Sequence, residues 1–189
     1  LRIRNLRDIN GLMLYTRKGD KGTTTTCNTG GGRIPKSSLL IEALGNIDEL
    51  NAWLGLCKAK LEDDKIKKTV EEVQQNIFII QAEIAGAKKS ISKEETQALE
   101  TVIDNIEKKL PVTTTFLIPG GTELSASFDV ARTLARRAER RVIDATENNE
   151  LKVSAPTKAY LNRLSSLLYA IERLLNKQDK VKEKAPSYK

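Results

Sequence analysis

Between Thr16 and Thr24 the chain reads TRKGDKGTT, and these residue types suit the capture of an anion. Gly19 and Gly22 permit positive φ and a close backbone approach to a ligand. Arg17 and Lys21 bring charge, and the hydroxyls of Thr16, Thr23 and Thr24 donate to phosphate oxygens. A flexible surface loop draws on the same residues, so segments elsewhere must decide between the two. A few residues on, GGGRIPKS at 30–37 approximates the nucleotide-binding pattern G-x-x-x-x-G-K-[ST], but Pro35 stands where the second glycine belongs. Proline removes an N–H from any phosphate cradle, and no hydrophobic strand precedes the stretch, so it is a false match.

A second concentration of chemistry is ARTLARRAERR. Arg132, Arg136 and Arg140 follow one another at i, i+4 spacing with Glu139 beside them, while Arg137 and Arg141 point elsewhere. A solvated cationic face would account for one row. Two rows exceed what solubility requires, so an anion or a second subunit should meet at least one. Asp48, in NIDELN, directly follows core residue Ile47, near an edge where a neighbour's arginine can pair with it.

The 189 residues contain no histidine. That removes the commonest general base, the commonest metal ligand and any Ser-His nucleophile pair. Thirty-two Lys and Arg against 25 Asp and Glu give a net charge of +7, which favours anionic partners. Only 4% of residues are aromatic and none lies among the arginines, so nucleic-acid stacking is not supported. No apolar run is long enough to cross a bilayer. Cys27 and Cys57 form neither a disulfide framework nor a metal-ligand spacing, and both read as structural residues in a cytoplasmic setting.

The elements that must position these groups are helices. Leu40, Leu44, Ile47, Leu50 and Leu54 define one over about 38–60, and Val70, Val73, Ile77, Ile80 and Ile84 a second from an Asp63 cap to about 89. Ser92 with Glu95 makes a capping box that opens a third. Pro111 and VTTT end it, and FLIPGGT connects to a fourth, in which Phe128, Ala131, Ala135, Ala138 and Val142 form a packing seam. Ser154 and Pro156 start a fifth, with Leu161, Leu164, Leu168, Ile171 and Leu175 on one face. No strand pattern of useful length competes. The reading is an all-α, five-helix bundle in one domain over 14–178. Residues 1–13 are expected to be an arm or an added extension, with Met13 as an alternative start, and 179–189 a mobile tail.

Four segments, YTRKGDKGTT, EALGNIDELNAWLG, FLIPGGTELSASFDVARTLARRAERR and YLNRLSSLLY, resemble in order and separation the signatures of the ATP:cob(I)alamin adenosyltransferases of the trimeric, propanediol-utilisation type. The resemblance covers about residues 14–175. It implies a ferritin-like bundle forming a homotrimer, with active sites between subunits. It also implies transfer of the 5′-deoxyadenosyl group of ATP to cob(I)alamin, giving adenosylcobalamin and triphosphate. Co(I) is the nucleophile, which suits a chain without histidine.

By position, the resemblance assigns Thr16, Arg17, Gly19, Asp20, Lys21, Gly22 and Thr23 to the triphosphate, joined by Lys36. It gives Arg136 a phosphate contact, Glu139 the ATP and its Mg²⁺, and Asn162 a contact to ATP. Asp48 and Arg132 match a pair bridging subunits. Phe116 matches an aromatic residue that fills the space below cobalt and displaces the lower axial ligand. A flavoprotein reductase and a cobalamin-dependent enzyme are implied as partners. The chain departs from the family pattern at Ser37 and Ser38, in the long TTTTCNTGGG stretch, at Asp129 where histidine is common, and at Ser166 in place of an acidic residue. Two alternatives stand beside this reading: a basic helical nucleic-acid-binding or assembly protein, and a non-catalytic carrier of ATP and cobalamin.

Overall fold

A computed structural model describes Tyr15 and residues 17–188; Thr16 and the 1–13 segment lie outside the described residues. Five helices account for most of it: α1 (Leu39–Lys60), α2 (Asp64–Ile84), α3 (Lys93–Glu107), α4 (Glu123–Glu147) and α5 (Ala155–Gln178). Each begins at a side chain that accepts from the first turn. Ser38, Asp63 and Ser154 receive N–H groups of α1, α2 and α5, while Ser92 with Glu95 and Thr122 with Ser125 form reciprocal capping boxes on α3 and α4. Two caps come from distant residues. Glu150 accepts from Leu40 N at 3.0 Å, and Glu83 on α2 accepts from Ser154 N at 2.6 Å.

The helix starts fall where the sequence places them, but α2 stops at Ile84, earlier than the expected 89. Gly86 takes φ 93°, its N–H bonds Glu83 O, and Ala87 N bonds Ala82 O, which closes the helix with a Schellman turn. The same closure ends α4 on Asn149 (φ 59°) and α5 on Lys180 (φ 55°). A two-residue antiparallel ladder also forms ahead of α1, between β1 (Thr23–Thr24) and β2 (Ile34–Pro35). Its strands are too short for a period-two pattern to register in sequence.

α4 lies between α1 and α5; α2 flanks α1, and α3 flanks α5. Asn76 Nδ2 donates to Tyr160 Oη at 3.2 Å, tying α2 to α5 as well. The core joins Ile47, Leu50 and Leu54 to Ile77, Ile80 and Ile84, and to Leu161, Leu164, Leu168 and Ile171. Ala131, Ala135 and Ala138 on α4 are completely buried within it. Their small size lets the flanking helices approach α4 closely. Among the described residues, no helix is long and apolar enough to cross a membrane.

Enlarging the seam tests this packing. Ala135→Leu is expected to cost about 1–3 kcal/mol, because extra methylenes in a filled core force neighbours off their rotamers. Urea denaturation should show a lower midpoint with an unchanged slope.

Candidate active site

The loop rich in glycine and threonine is a built hairpin. Thr23 pairs with Pro35 and Thr24 with Ile34, and Lys36 N bonds Gly22 O at 2.9 Å. Arg33 holds it shut: its Nε donates to Thr23 Oγ1 at 2.7 Å, and its Nη2 donates to the carbonyls of Lys18 and Thr23. The false nucleotide motif is therefore the return strand. Pro35 is tolerated there because its partner on the ladder needs no N–H from it. Lys36 lies across Gly19, where a β-carbon would stand 3.0 Å from Nζ, so the lysine charge is set directly on the loop. Arg17 adopts φ 58° with its guanidinium 5.4 Å from the Tyr15 ring. Asp20, Lys21 and Gly22 are exposed in the turn that leads into β1. Cys27, expected to be structural, is exposed on the intervening 3-10 turn, whereas Cys57 is buried in α1.

On α4 the two arginine rows part as the spacing requires. Arg137 reaches α1, donating to Asn46 Oδ1 at 2.8 Å and pairing with Glu49, and Arg141 pairs with Glu42 at 3.8 Å. On the other side Arg136, Glu139, Arg140 and Asn162 line one surface groove with Asp144 and Glu147. Asn162 Nδ2 donates to Glu139 Oε1 at 2.8 Å, and Asn162 Oδ1 accepts from Arg163 at 2.9 Å. This chain of bonds orients Glu139. Among the described residues, Arg136 and Arg140 have no hydrogen-bonded or ionic partner. Two exposed guanidinium groups beside an oriented carboxylate and amide are equipped for a polyanion with a companion cation.

Asp48 and Arg132 do not meet within the chain. Asp48 is exposed on α1 and accepts from Gln81 Nε2 at 3.1 Å. Arg132 donates from Nε and Nη2 to Asp129 Oδ1, both at 3.3 Å, and lies 6.0 Å from the Tyr169 ring. Phe116 is 82% exposed on the connector between α3 and α4. Behind that connector is a cavity of about 250 Å³ walled by Gly120, Gly121, Asp129, Arg132, Glu172 and Asn176. Its floor is acidic. Glu172 is buried, and that burial, reinforced by the charges of Asp129 and Glu183, pushes its carboxyl up to about 8 against the pull of Arg173 and Arg132.

The segment after α5, expected to be a mobile tail, is bonded to this region. Glu183 accepts from Arg173 at 2.9 Å, Lys184 O accepts from Ile118 N at 2.8 Å, and Val181 N bonds Asn176 O. Arg173 is buried on α5 and must be neutralised, which draws the acidic residue back onto the bundle. Sequence reasoning missed Arg33, Glu172, Arg173 and Asn176. Arg33 carried a signal, a cation directly across a hairpin from a threonine, but the α5 residues sit within an ordinary helical pattern.

Fold and site define a helical-bundle protein with a basic hairpin and a groove that exposes two arginines on α4. The sequence model for cobalamin adenosyltransferase matches residues 14–175, and the chain belongs to that family. It is 40% identical over 170 residues to the corrinoid adenosyltransferase PduO of Salmonella typhimurium, covering 86% of this chain and 49% of that protein. The chain thus spans about half the length of that relative. It is 34% identical over 173 residues to the corrinoid adenosyltransferase of Bacillus subtilis, covering 87% of each. Among solved structures, a phenylalanine-to-alanine variant of the PduO-type ATP:corrinoid adenosyltransferase from Lactobacillus reuteri, complexed with cobalamin and ATP, superposes with TM-score 0.86 at 29% identity, covering 93% of this chain and all of that one. An arginine-to-lysine variant of the same enzyme, complexed with ATP, gives 0.82 at 30% identity, with the same coverage.

The buried carboxyl gives a pH test. Folded Glu172 keeps its proton to about pH 8, whereas the ordinary value is 4.5. Its contribution to stability is therefore full below 4.5 and is lost as pH rises through 8. Glu172→Gln preserves the acceptor for Asn176 and removes the titration. Thermal melts from pH 4.5 to 9 should show the variant's melting temperature gaining on wild type as pH rises, then levelling. Each kcal/mol of relative gain corresponds to about 2–4 °C at this length.

Proposed function

We propose that this chain transfers the 5′-deoxyadenosyl group of ATP to the cobalt of a reduced corrinoid, releasing triphosphate. The carrying observation is the groove where, among the described residues, Arg136 and Arg140 stand unpaired beside the bonded Glu139–Asn162 pair. The hairpin supplies the second half of the reading, with Arg17, Lys21 and Lys36 as charges and the Gly19–Gly22 backbone as the close-approach surface. Thr16 and Thr23 add hydroxyl groups, with Thr23 held by Arg33. The carboxylate of Asp20, in the turn ahead of β1, would orient the loop's cations.

In this reaction the electron pair of Co(I) forms the Co–C bond to C5′, and the C5′–O bond breaks with its electrons leaving on triphosphate. No proton has to move in that step. The protein's work is orientation of two substrates and neutralisation of the developing charge on the leaving oxygen. Arg136 meets the phosphates, Asn162 and Glu139 fix the nucleotide, and Lys36 with the hairpin surrounds the leaving group. Mg²⁺ would accompany the triphosphate, held by phosphate oxygens and Glu139, and would supply further charge neutralisation.

Hairpin and groove are not joined by any hydrogen bond or ion pair among the described residues. That separation favours a homotrimer in which one subunit's hairpin faces the next subunit's α4, with Asp48 of one paired to Arg132 of the other. Such a pair would fix the corrinoid side, where Phe116 takes the place of cobalt's lower ligand. The active domain is proposed to run over 14–178 in a cytoplasmic protein. A flavoprotein reductase would supply electrons, and a cobalamin-dependent enzyme would receive the product.

Anaerobic mixing with ATP, Mg²⁺ and chemically reduced cobalamin should convert the corrin spectrum to that of adenosylcobalamin. Binding of both substrates without conversion would instead identify a carrier. Arg136→Ala removes a charge-assisted phosphate contact and is expected to lower kcat/KM for ATP by about 10- to 100-fold, with circular dichroism unchanged.

A further inference from the structure

We infer that Asp129 and Asn176 are positioning residues that grip the Gly120 backbone from both sides and thereby fix where the connector presents Phe116 to the corrinoid, an inference that rests on the adenosyltransferase reading. Gly120 N donates to Asp129 Oδ2 at 3.0 Å, and Asn176 Nδ2 donates to Gly120 O at 3.0 Å. Both residues are nearly inaccessible, at 7% and 2% exposure. Buried bonds of this kind compete with little water and hold their geometry. The fit is close: a β-carbon on Gly121 would lie 2.0 Å from Asn176 Oδ1, and Gly120 and Gly121 take φ 127° and 130°. Only glycine meets both conditions at low cost.

The grip matters because side-chain packing does not locate Phe116. Its ring is 82% exposed, and Val112 at the start of the same stretch is 94% exposed, so packing does not place the segment. It is strung between anchors. Arg173 Nη2 donates to Pro111 O at 3.2 Å on one side; on the other, Ile118 N bonds Lys184 O at 2.8 Å and Gly120 is gripped two residues later. Both outer anchors converge on α5. Arg173 also binds Glu183, and Asn176 Nδ2 also donates to Glu172 on the preceding turn.

Asp129 has a second duty. Its Oδ1 accepts from Arg132 while Oδ2 accepts from Gly120, so one carboxylate ties the connector to the arginine proposed to bridge subunits. A carboxylate is suited to this because it offers two acceptor oxygens in one plane. Placement of the aromatic below the corrin and placement of Arg132 are thereby coupled through a single side chain.

Steady-state kinetics on the full chain separates positioning from mere stability. Asp129→Ala and Asn176→Ala are expected to raise KM for reduced cobalamin, or lower kcat, on the order of 10-fold, with KM for ATP within about 2-fold of wild type. Asp129→Asn keeps one acceptor for Gly120 and should recover part of the loss. Parallel losses toward both substrates, or no recovery in Asp129→Asn, would overturn the inference. Hydrogen exchange reads the grip without mutation, whatever the variants' folding: Gly120 N–H should exchange at least about 100-fold slower than an open loop amide, and loop-like exchange overturns the inference. A wild-type chain that shows the slow amide but makes no adenosylcobalamin would sink the functional reading instead, leaving the grip intact.

Discussion

The alanine seam of α4 is the constraint on which the site depends. Ala131, Ala135 and Ala138 are wholly buried between α1 and α5, so the azimuth of α4 is fixed by close packing on two sides. Once that face points inward, helical geometry leaves no freedom to the arginines. Arg137 and Arg141 must face α1, where Asn46, Glu49 and Glu42 receive them, and Arg136 and Arg140 must face the groove with Glu139. The distinction between arginines that hold the fold and arginines left exposed in the groove is therefore a consequence of where three methyl groups pack.

At the other end of α4 the same logic governs the connector. Asp129 precedes the seam by two residues and is buried, which puts its carboxylate under the PGG turn. Three acidic groups, Asp129, Glu172 and Glu183, converge there with Arg132 and Arg173. Desolvation favours keeping one of them neutral, and Glu172, lacking the direct arginine partner that the other two have, holds its proton. A protonated carboxyl inside this cluster avoids a buried excess of negative charge without adding another cation.

Much of the bundle was legible from apolar spacing and caps. The Ser92–Glu95 box, the Asp63 and Ser154 caps and the alanine seam all act locally, within one helical turn or along one face, and local rules capture them. The end of α2 falls short of its expected place because helix-compatible residues run past Gly86, while the Schellman closure depends on that glycine's positive φ. The hairpin was hidden for a different reason. Its ladder is two residues long, and its stability comes from Arg33 reaching back to Thr23, a contact across a turn rather than along a pattern. The anchored segment after α5 was obscured in the same way, since its lysine-rich composition describes a solvated stretch while the buried Arg173 holds Glu183 against the bundle.

The sequence by itself determined the five helices, the partition of α4 into two arginine rows, the failure of GGGRIPKS as a nucleotide motif and the resemblance that the family match upheld. These follow from periodicity, from proline's missing N–H and from the order of the signature segments. Only the tertiary structure decided that Asp48 binds Gln81 and Arg132 binds Asp129 within one chain. It also decided that Asn162 orients Glu139, and that Gly120 is gripped between residues 129 and 176. Most of these contacts join side chains far apart in sequence, and their geometry exists only after the helices have packed.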